Sequence, residues 1–311
     1  MDTLDRFRGC LLGLAVGDAV GTTLEFKPKG SFIPITDMVG GGPFRLKPGQ
    51  WTDDTSMALC LATSLLESQG FDADDQMQRY CRWHNEGYLS SNGRCFDIGN
   101  TVSSALRGYK AHGNPYAGSA DTWSAGNGSL MRLAPIPMFY YPDIEQAVAF
   151  AAESSRTTHG ADECIDACRL YSRQLLAALA GEHKENLLFI DRLSFSGTPK
   201  IPGIANGNYR SKSEHEIRGT GYVVDCLEAA LWCFWTTDTF SDAILKAANL
   251  GDDADTTAAG CGQIAGAYYG CAGIPTAWKE QLAMREMIQE LADLLYQLSH
   301  STQNLGIEVS A

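Results

Sequence analysis

Apolar positions along this chain recur mostly at helical spacing. Leu4, Phe7, Leu11, Leu12, Leu14 and Ala15 form the apolar stripe of a first amphipathic helix, which turns small at Gly13, Gly17 and Gly21. Glycines so placed predict that a second backbone approaches this helix closely. Thr52 stands as an N-cap before Asp53 and Asp54, with Met57, Leu59, Leu61, Leu65 and Leu66 following at helical intervals. The same reasoning predicts helices over 72–85, 97–111, 129–137, 143–154, 161–180, 222–236, 239–248, 255–269 and 276–298. Strand alternation is nearly absent, so the fold class is all-α.

Two stretches break the pattern. Residues 27–50 contain Pro28, Pro34, Pro43 and Pro48 with Gly30, Gly40, Gly41, Gly42 and Gly49, which leaves a loop, a candidate lid. Residues 181–221 mix Gly, Pro, Asn, Ser and charge and read as an irregular insertion. The acidic motifs that need each other lie on both sides of that insertion, so a single domain over 1–311 is expected.

With 44% hydrophobic and 20% charged residues over 311 positions, the chain has the composition of a globular protein with a sizeable core. Its formal charge of −13 supplies no basic footprint for a phosphate backbone, which argues against nucleic acid as a partner. No leader pattern and no apolar run of about 18 residues is visible, so a cytoplasmic location and no membrane association are expected. The ten cysteines are scattered through a chain able to build a core without staples, and free buried thiols are the expectation. Cys164 and Cys168 lack any His or second Cys pair at zinc spacing.

Candidate chemistry concentrates in two acidic segments, Trp51-Thr52-Asp53-Asp54-Thr55 and Gly251-Asp252-Asp253-Ala254-Asp255-Thr256, each at the start of a predicted helix. Either one alone has an ordinary explanation, because carboxylates near a helix N-terminus are favoured by the helix dipole. Together they offer hard oxygen donors and no soft ones, which suits Mg²⁺ or Mn²⁺ rather than zinc or copper. Glu25 follows Gly17-Asp18-Ala19-Val20-Gly21 where the first helix gives way to the loop, placed either on the surface or pointing into a site. Gly126-Asn127-Gly128-Ser129 reads as opening a helix whose free N–H groups would cradle a diphosphate, or as a simple Asn-Gly turn. His159 is a phosphate or ribose contact or a capping residue; Tyr222 stacks on a base or belongs to the core.

Five motifs in order, Gly17-Asp18-Ala19-Val20-Gly21 with Glu25, Trp51-Thr52-Asp53-Asp54-Thr55, Phe96-Asp97-Ile98-Gly99-Asn100-Thr101, Gly126-Asn127-Gly128-Ser129-Leu130-Met131-Arg132 and Gly251-Asp252-Asp253-Ala254-Asp255-Thr256, resemble the ADP-ribosylglycohydrolase family. The chain particularly resembles the family's bacterial dinitrogenase reductase activating glycohydrolases, and the similarity runs from about residue 4 to 290. The resemblance implies an all-α domain with a cleft for two divalent cations, Mg²⁺ or Mn²⁺. By motif position it implies Thr52, Asp53, Asp54, Asp253, Asp255 and Thr256 as metal ligands, Glu25 as a ligand or acid/base on a movable loop, and Asp97 as an acid assisting cleavage. Asn100, Gly126, Asn127, Gly128, Ser129, His159 and Tyr222 would contact substrate. Asp252 departs from relatives that have a second glycine there, adding an acid beside the ligand segment.

The implied activity is removal of ADP-ribose from a modified acceptor, most simply an arginine side chain on a protein, with ADP-ribosylated protein or free ADP-ribose as partner. Two competing readings stand beside it. One is a noncatalytic ADP-ribose-binding or crystallin-like structural protein on the same scaffold, against which the retention of all six implied ligands argues. The other is a dinuclear-metal phosphohydrolase acting on nucleotides, which would release phosphate instead of ADP-ribose.

Overall fold

A computed structural model describes residues 1–189 and 198–307, with backbone only for 302–307. Among the described residues there is no β-strand, only isolated bridges. The described residues form fourteen α-helices in order: α1 (Thr3–Gly21), α2 (Asp53–Ser68), α3 (Ala73–Glu86), α4 (Asn100–His112), α5 (Pro135–Phe139), α6 (Ile144–Arg156), α7 (Asp162–Leu179), α8 (Lys184–Leu188), α9 (Ile201–Ala205), α10 (Val223–Trp235), α11 (Phe240–Ala248), α12 (Ala254–Gly273), α13 (Thr276–Gln281) and α14 (Arg285–Ile307). None of the described helices is long and apolar enough to cross a membrane.

The centre of the molecule is the antiparallel pair α1 and α12. A Cβ on Gly13 would stand 2.3 Å from Gly262 O, and one on Gly266 would stand 1.9 Å from Gly9 O. Gly17 faces Ala258, and Gly21 faces Ala254, with equally little room. Only glycine permits backbones this close. The pairing sets the C-terminal end of α1 beside the first turn of α12, which brings two of the acidic motifs together. The main core wraps this pair with α2, α7, α10 and α11; a smaller core of Met57, Tyr80, Trp83, Val102, Leu106 and Met131 seats α3 and α4 on α2.

Several boundaries differ from the sequence expectation, each for a local reason. The segment 129–137 is not one helix: Pro135 offers no N–H to the turn before it, leaving a run of turns and the short α5. Gly126-Asn127-Gly128-Ser129 therefore opens turns and not a regular helix. The expected 276–298 helix breaks at Leu282–Met284, where Ala283 N–H donates to Gly49 O (2.9 Å), Trp51 Nε1 donates to Ala283 O (3.1 Å), and Met284 takes φ 56°. The expected 97–111 helix starts at Asn100, since Asp97 has φ 62°. The 27–50 loop has no regular element and is tied down by paired Ile35–Asn249 bonds and by Trp278 Nε1 donating to Asp37 Oδ1. Within 181–221 lie α8, α9 and two 3-10 turns, while 190–197 fall outside the described residues. All ten cysteines are free, seven of them buried.

Candidate active site

A cleft of about 390 Å³ opens where the N-termini of α2, α4 and α12 converge on the end of α1. Three helix N-termini bring partial positive charge to one place, which offsets part of the mutual repulsion of the acids there. Its walls include Glu25, Asp53, Asp97, Asn100, Gly126, Asn127, Gly128, His159, Asp253, Asp255 and Thr256, so most of the residues singled out from the sequence meet in one cavity.

The acids are held by short local links. Thr52 caps α2, but its hydroxyl turns away from the helix and donates to Asp18 Oδ1 at 2.9 Å, and it lies 3.4 Å from Oδ2 of both Asp54 and Asp255. Thr256 Oγ1 donates to Asp54 Oδ2 at 3.3 Å. These hydroxyls lock the first turns of α2 and α12 side by side. Carboxylate oxygens of Glu25, Asp97 and Asp255 come within 4.8 Å of one another. Asp253 is turned toward the glycine loop, where Asn127 Nδ2 donates to its Oδ2 at 2.9 Å.

Electrostatics of the cluster follow from burial. Glu25 is pushed up to about 10, first by desolvation and then by repulsion from Asp97 and Asp253. Asp97 rises to about 7, mainly by desolvation, and Asp53, Asp54 and Asp255 rise well above the usual carboxylate range for the same leading reason. Glu25 Oε2, Asp54 Oδ1 and Asp255 Oδ1 are buried with no hydrogen-bond partner. Orphaned, mutually repelling oxygens of this kind fit a hard divalent cation, with carboxylate and hydroxyl donors and no thiolate or imidazole among them.

Four sequence candidates are placed differently from the rest. Thr52 and Asp54 lie just behind the cleft wall. Ser129 is buried and its oxygen accepts from Ser155 Oγ (2.9 Å) and Cys168 Sγ (3.4 Å), away from the cavity. Tyr222 lines a second cavity of about 770 Å³ that shares Thr101, Gly126 and Gly221 with the first; its hydroxyl donates to Glu163 and accepts from Lys200 Nζ (2.6 Å). Asp252 is not part of the cleft wall. Its φ of 54° is the left-handed conformation that glycine adopts at least cost and that Asp tolerates, which accounts for either residue standing there.

Two buried charged residues that support the cleft were not singled out in the sequence. Asp18, fully buried, accepts from the N–H and hydroxyl groups of both Thr52 and Thr55. An acid inside the otherwise apolar, glycine-rich stretch from Gly9 to Gly21 was the available signal. Arg132, also fully buried, donates to Gly128 O (3.0 Å) and to Thr158 Oγ1 (2.8 Å) beneath the 126–128 turn.

Comparison with known proteins agrees with this geometry. The family model described as ADP-ribosylglycohydrolase matches residues 1–305. The chain is 49% identical to the ADP-ribosylarginine hydrolase Tri1 of Pseudomonas putida (strain GB-1) over 94% of its length and 78% of that protein's. It is 45% identical to the protein of the same name from Serratia proteamaculans (strain 568), covering 96% and 81%, and 33% identical to an ADP-ribosyl-(dinitrogen reductase) glycohydrolase of Rhodospirillum rubrum, covering 90% and 91%. A solved structure titled ADP-ribosylglycohydrolase-related protein complex superposes with TM-score 0.85 at 44% identity, covering 96% of this chain and 99% of that one.

Proposed function

Because the chain belongs to the ADP-ribosylglycohydrolase family, we propose that it hydrolyses the N-glycosidic bond between ADP-ribose and a modified arginine side chain on a protein, using two divalent cations, Mg²⁺ or Mn²⁺. The observation that carries this reading is the set of buried, partnerless carboxylate oxygens on Glu25 and Asp255 in a cleft at three helix N-termini and on Asp54 just behind its wall. Names of relatives at 45–49% identity point to arginine as the acceptor.

Thr52, Asp53, Asp54, Asp253, Asp255 and Thr256, with Glu25, are the residues that would hold the cations. Asp255 takes part both in the contacts around Thr52 and in the grouping with Glu25 and Asp97. Bound there, the cations supply Lewis acidity toward ribose oxygens and water and neutralise the acids. The chain's own groups do the rest. Asp97, on the cleft wall beside Glu25 and Asp255, is placed to act as a general acid for a departing guanidine nitrogen. Glu25, 4% exposed, stands beside it and faces the same cleft. Asn100, Asn127 and the glycine turn at 126–128 bind the ribose and diphosphate, and the second cavity, with Tyr222 on its wall, takes the adenosine end. Replacing Asp97 by Asn, with ADP-ribose release measured on arginine-modified protein, tests the acid assignment; unchanged turnover contradicts it.

A further inference from the structure

The cleft wall carries acids but no lysine or arginine, so a diphosphate meets no cationic side chain there. A buried positive group, Arg132, lies beneath the glycine turn and donates to Gly128 O. Its Nη2 donates to Thr158 Oγ1 at 2.8 Å, and that oxygen lies 2.9 Å from His159 Nδ1. Thr158 is fully buried, and the hydroxyl, having accepted from Arg132, has one proton left to place. Nδ1 is the acceptor in reach. If the imidazole proton stood on Nδ1 instead, the hydroxyl proton would be orphaned in the core, at a cost of the order of a lost buried hydrogen bond. The proton of the ring therefore belongs on Nε2. That nitrogen borders the turn: a Cβ on Gly128 would stand 3.1 Å from it, and one on Gly126 3.4 Å. No acceptor stands on Nε2 among the described residues, and the ring lines the cleft.

We propose that Arg132 is a positioning residue which, through the Thr158 hydroxyl, fixes His159 in the Nε2–H tautomer, and that this N–H donates to the diphosphate of ADP-ribose. The inference rests on the ADP-ribose reading above and adds to it a neutral donor chosen by a buried cation. Burial and then the Arg132 charge lower the imidazole to about 3, in keeping with a neutral ring. The arrangement also explains the glycine at 128: a Cβ there would stand 2.7 Å from His159 Cε1, so the ring occupies the space that any other side chain would fill.

The test uses the full chain, ¹⁵N-labelled at histidine, with free ADP-ribose as probe. The wild type is expected to show a protonated Nε2 and an unprotonated Nδ1 on His159, with and without ADP-ribose. Thr158→Val is expected to release the tautomer and to weaken ADP-ribose binding roughly tenfold by calorimetry, the scale of one hydrogen bond to a charged group. Thr158→Ser is expected to restore both. A wild-type ring with its proton on Nδ1, or on both nitrogens, overturns the proposal whether or not Thr158→Val folds. So does a folded Thr158→Val that binds ADP-ribose like the wild type. If the wild type shows the expected tautomer but binds no ADP-ribose, the substrate reading fails, and the donor role with it.

Discussion

Asp18 Oδ1 accepts from both the backbone N–H and the hydroxyl of Thr52, each at 2.9 Å, across the junction between the end of α1 and the start of α2. Its other oxygen accepts from the N–H (3.0 Å) and hydroxyl (2.6 Å) of Thr55. Asp18 thus serves as the N-terminal anion of α2 from another helix, satisfying donors that α2 cannot satisfy itself. Removing its charge relieves some repulsion among the acids, but an amide presents N–H groups to donors. Asp18→Asn is expected to lower stability by about 2 kcal/mol or more and to weaken Mg²⁺ binding. Thermal melts with chelator and a metal titration check both; a variant as stable as wild type removes Asp18 from this role.

The backbone contact between Gly13 and Gly262 sets the distance between acids on α1 and α12. A Cβ at Gly262 would stand 2.0 Å from Gly13 O, whereas one at Gly260 would meet only Ala230 Cβ at 3.4 Å. Gly262→Ala is expected to cost on the order of 3 kcal/mol and to impair metal binding in whatever protein folds, while Gly260→Ala stays within about 1 kcal/mol of wild type. Denaturant unfolding of the pair decides; equal effects would mean that the helix spacing is not set at this glycine.

The raised acids give the metal-free protein a defined pH response. Glu25 goes from an ordinary 4.5 to about 10 on folding, so between those limits the folded chain binds more protons than the unfolded one. Stability of the metal-free form therefore falls as pH rises through that window, and a cation that displaces the proton cancels the trend. The gain in Tm from saturating Mg²⁺ or Mn²⁺ over chelator is expected to be larger at about pH 9 than at about pH 5. A gain independent of pH would argue that Glu25 gives up no proton to the metal.

If Asp97 is the general acid, as proposed, Asp97→Asn slows ADP-ribose release about a hundredfold or more. The readout is kcat on ADP-ribosylarginine protein with metal content measured alongside. A variant that turns over at the wild-type rate moves the proton transfer to another group.

The parts of this molecule visible in the sequence are those where chemistry and local pattern coincide. Thr52 before Asp53 and Asp54 marked the start of α2, and α6 lies close to its expected 143–154 span because Asp143 caps it locally. Where distant contacts decide, the pattern misled. Apolar residues around 282–284 look helical, yet the hydrogen bonds of Ala283 to Gly49 and Trp51 break the helix there. Asp18 hid for a related reason: its partners Thr52 and Thr55 lie 34 and 37 positions away, and only the close pairing of α1 and α12 reveals that its helix ends at the site. Arg132 followed an apolar run, and nothing near it in sequence announced Thr158 or His159.

The most direct test of the central claim is release of free ADP-ribose from arginine-modified and serine-modified proteins, with Mg²⁺ or Mn²⁺ and again with chelator. Metal-dependent release from the arginine-linked substrate alone is the expected result. Release that persists in chelator, or no release from arginine by metal-loaded protein, would contradict the account.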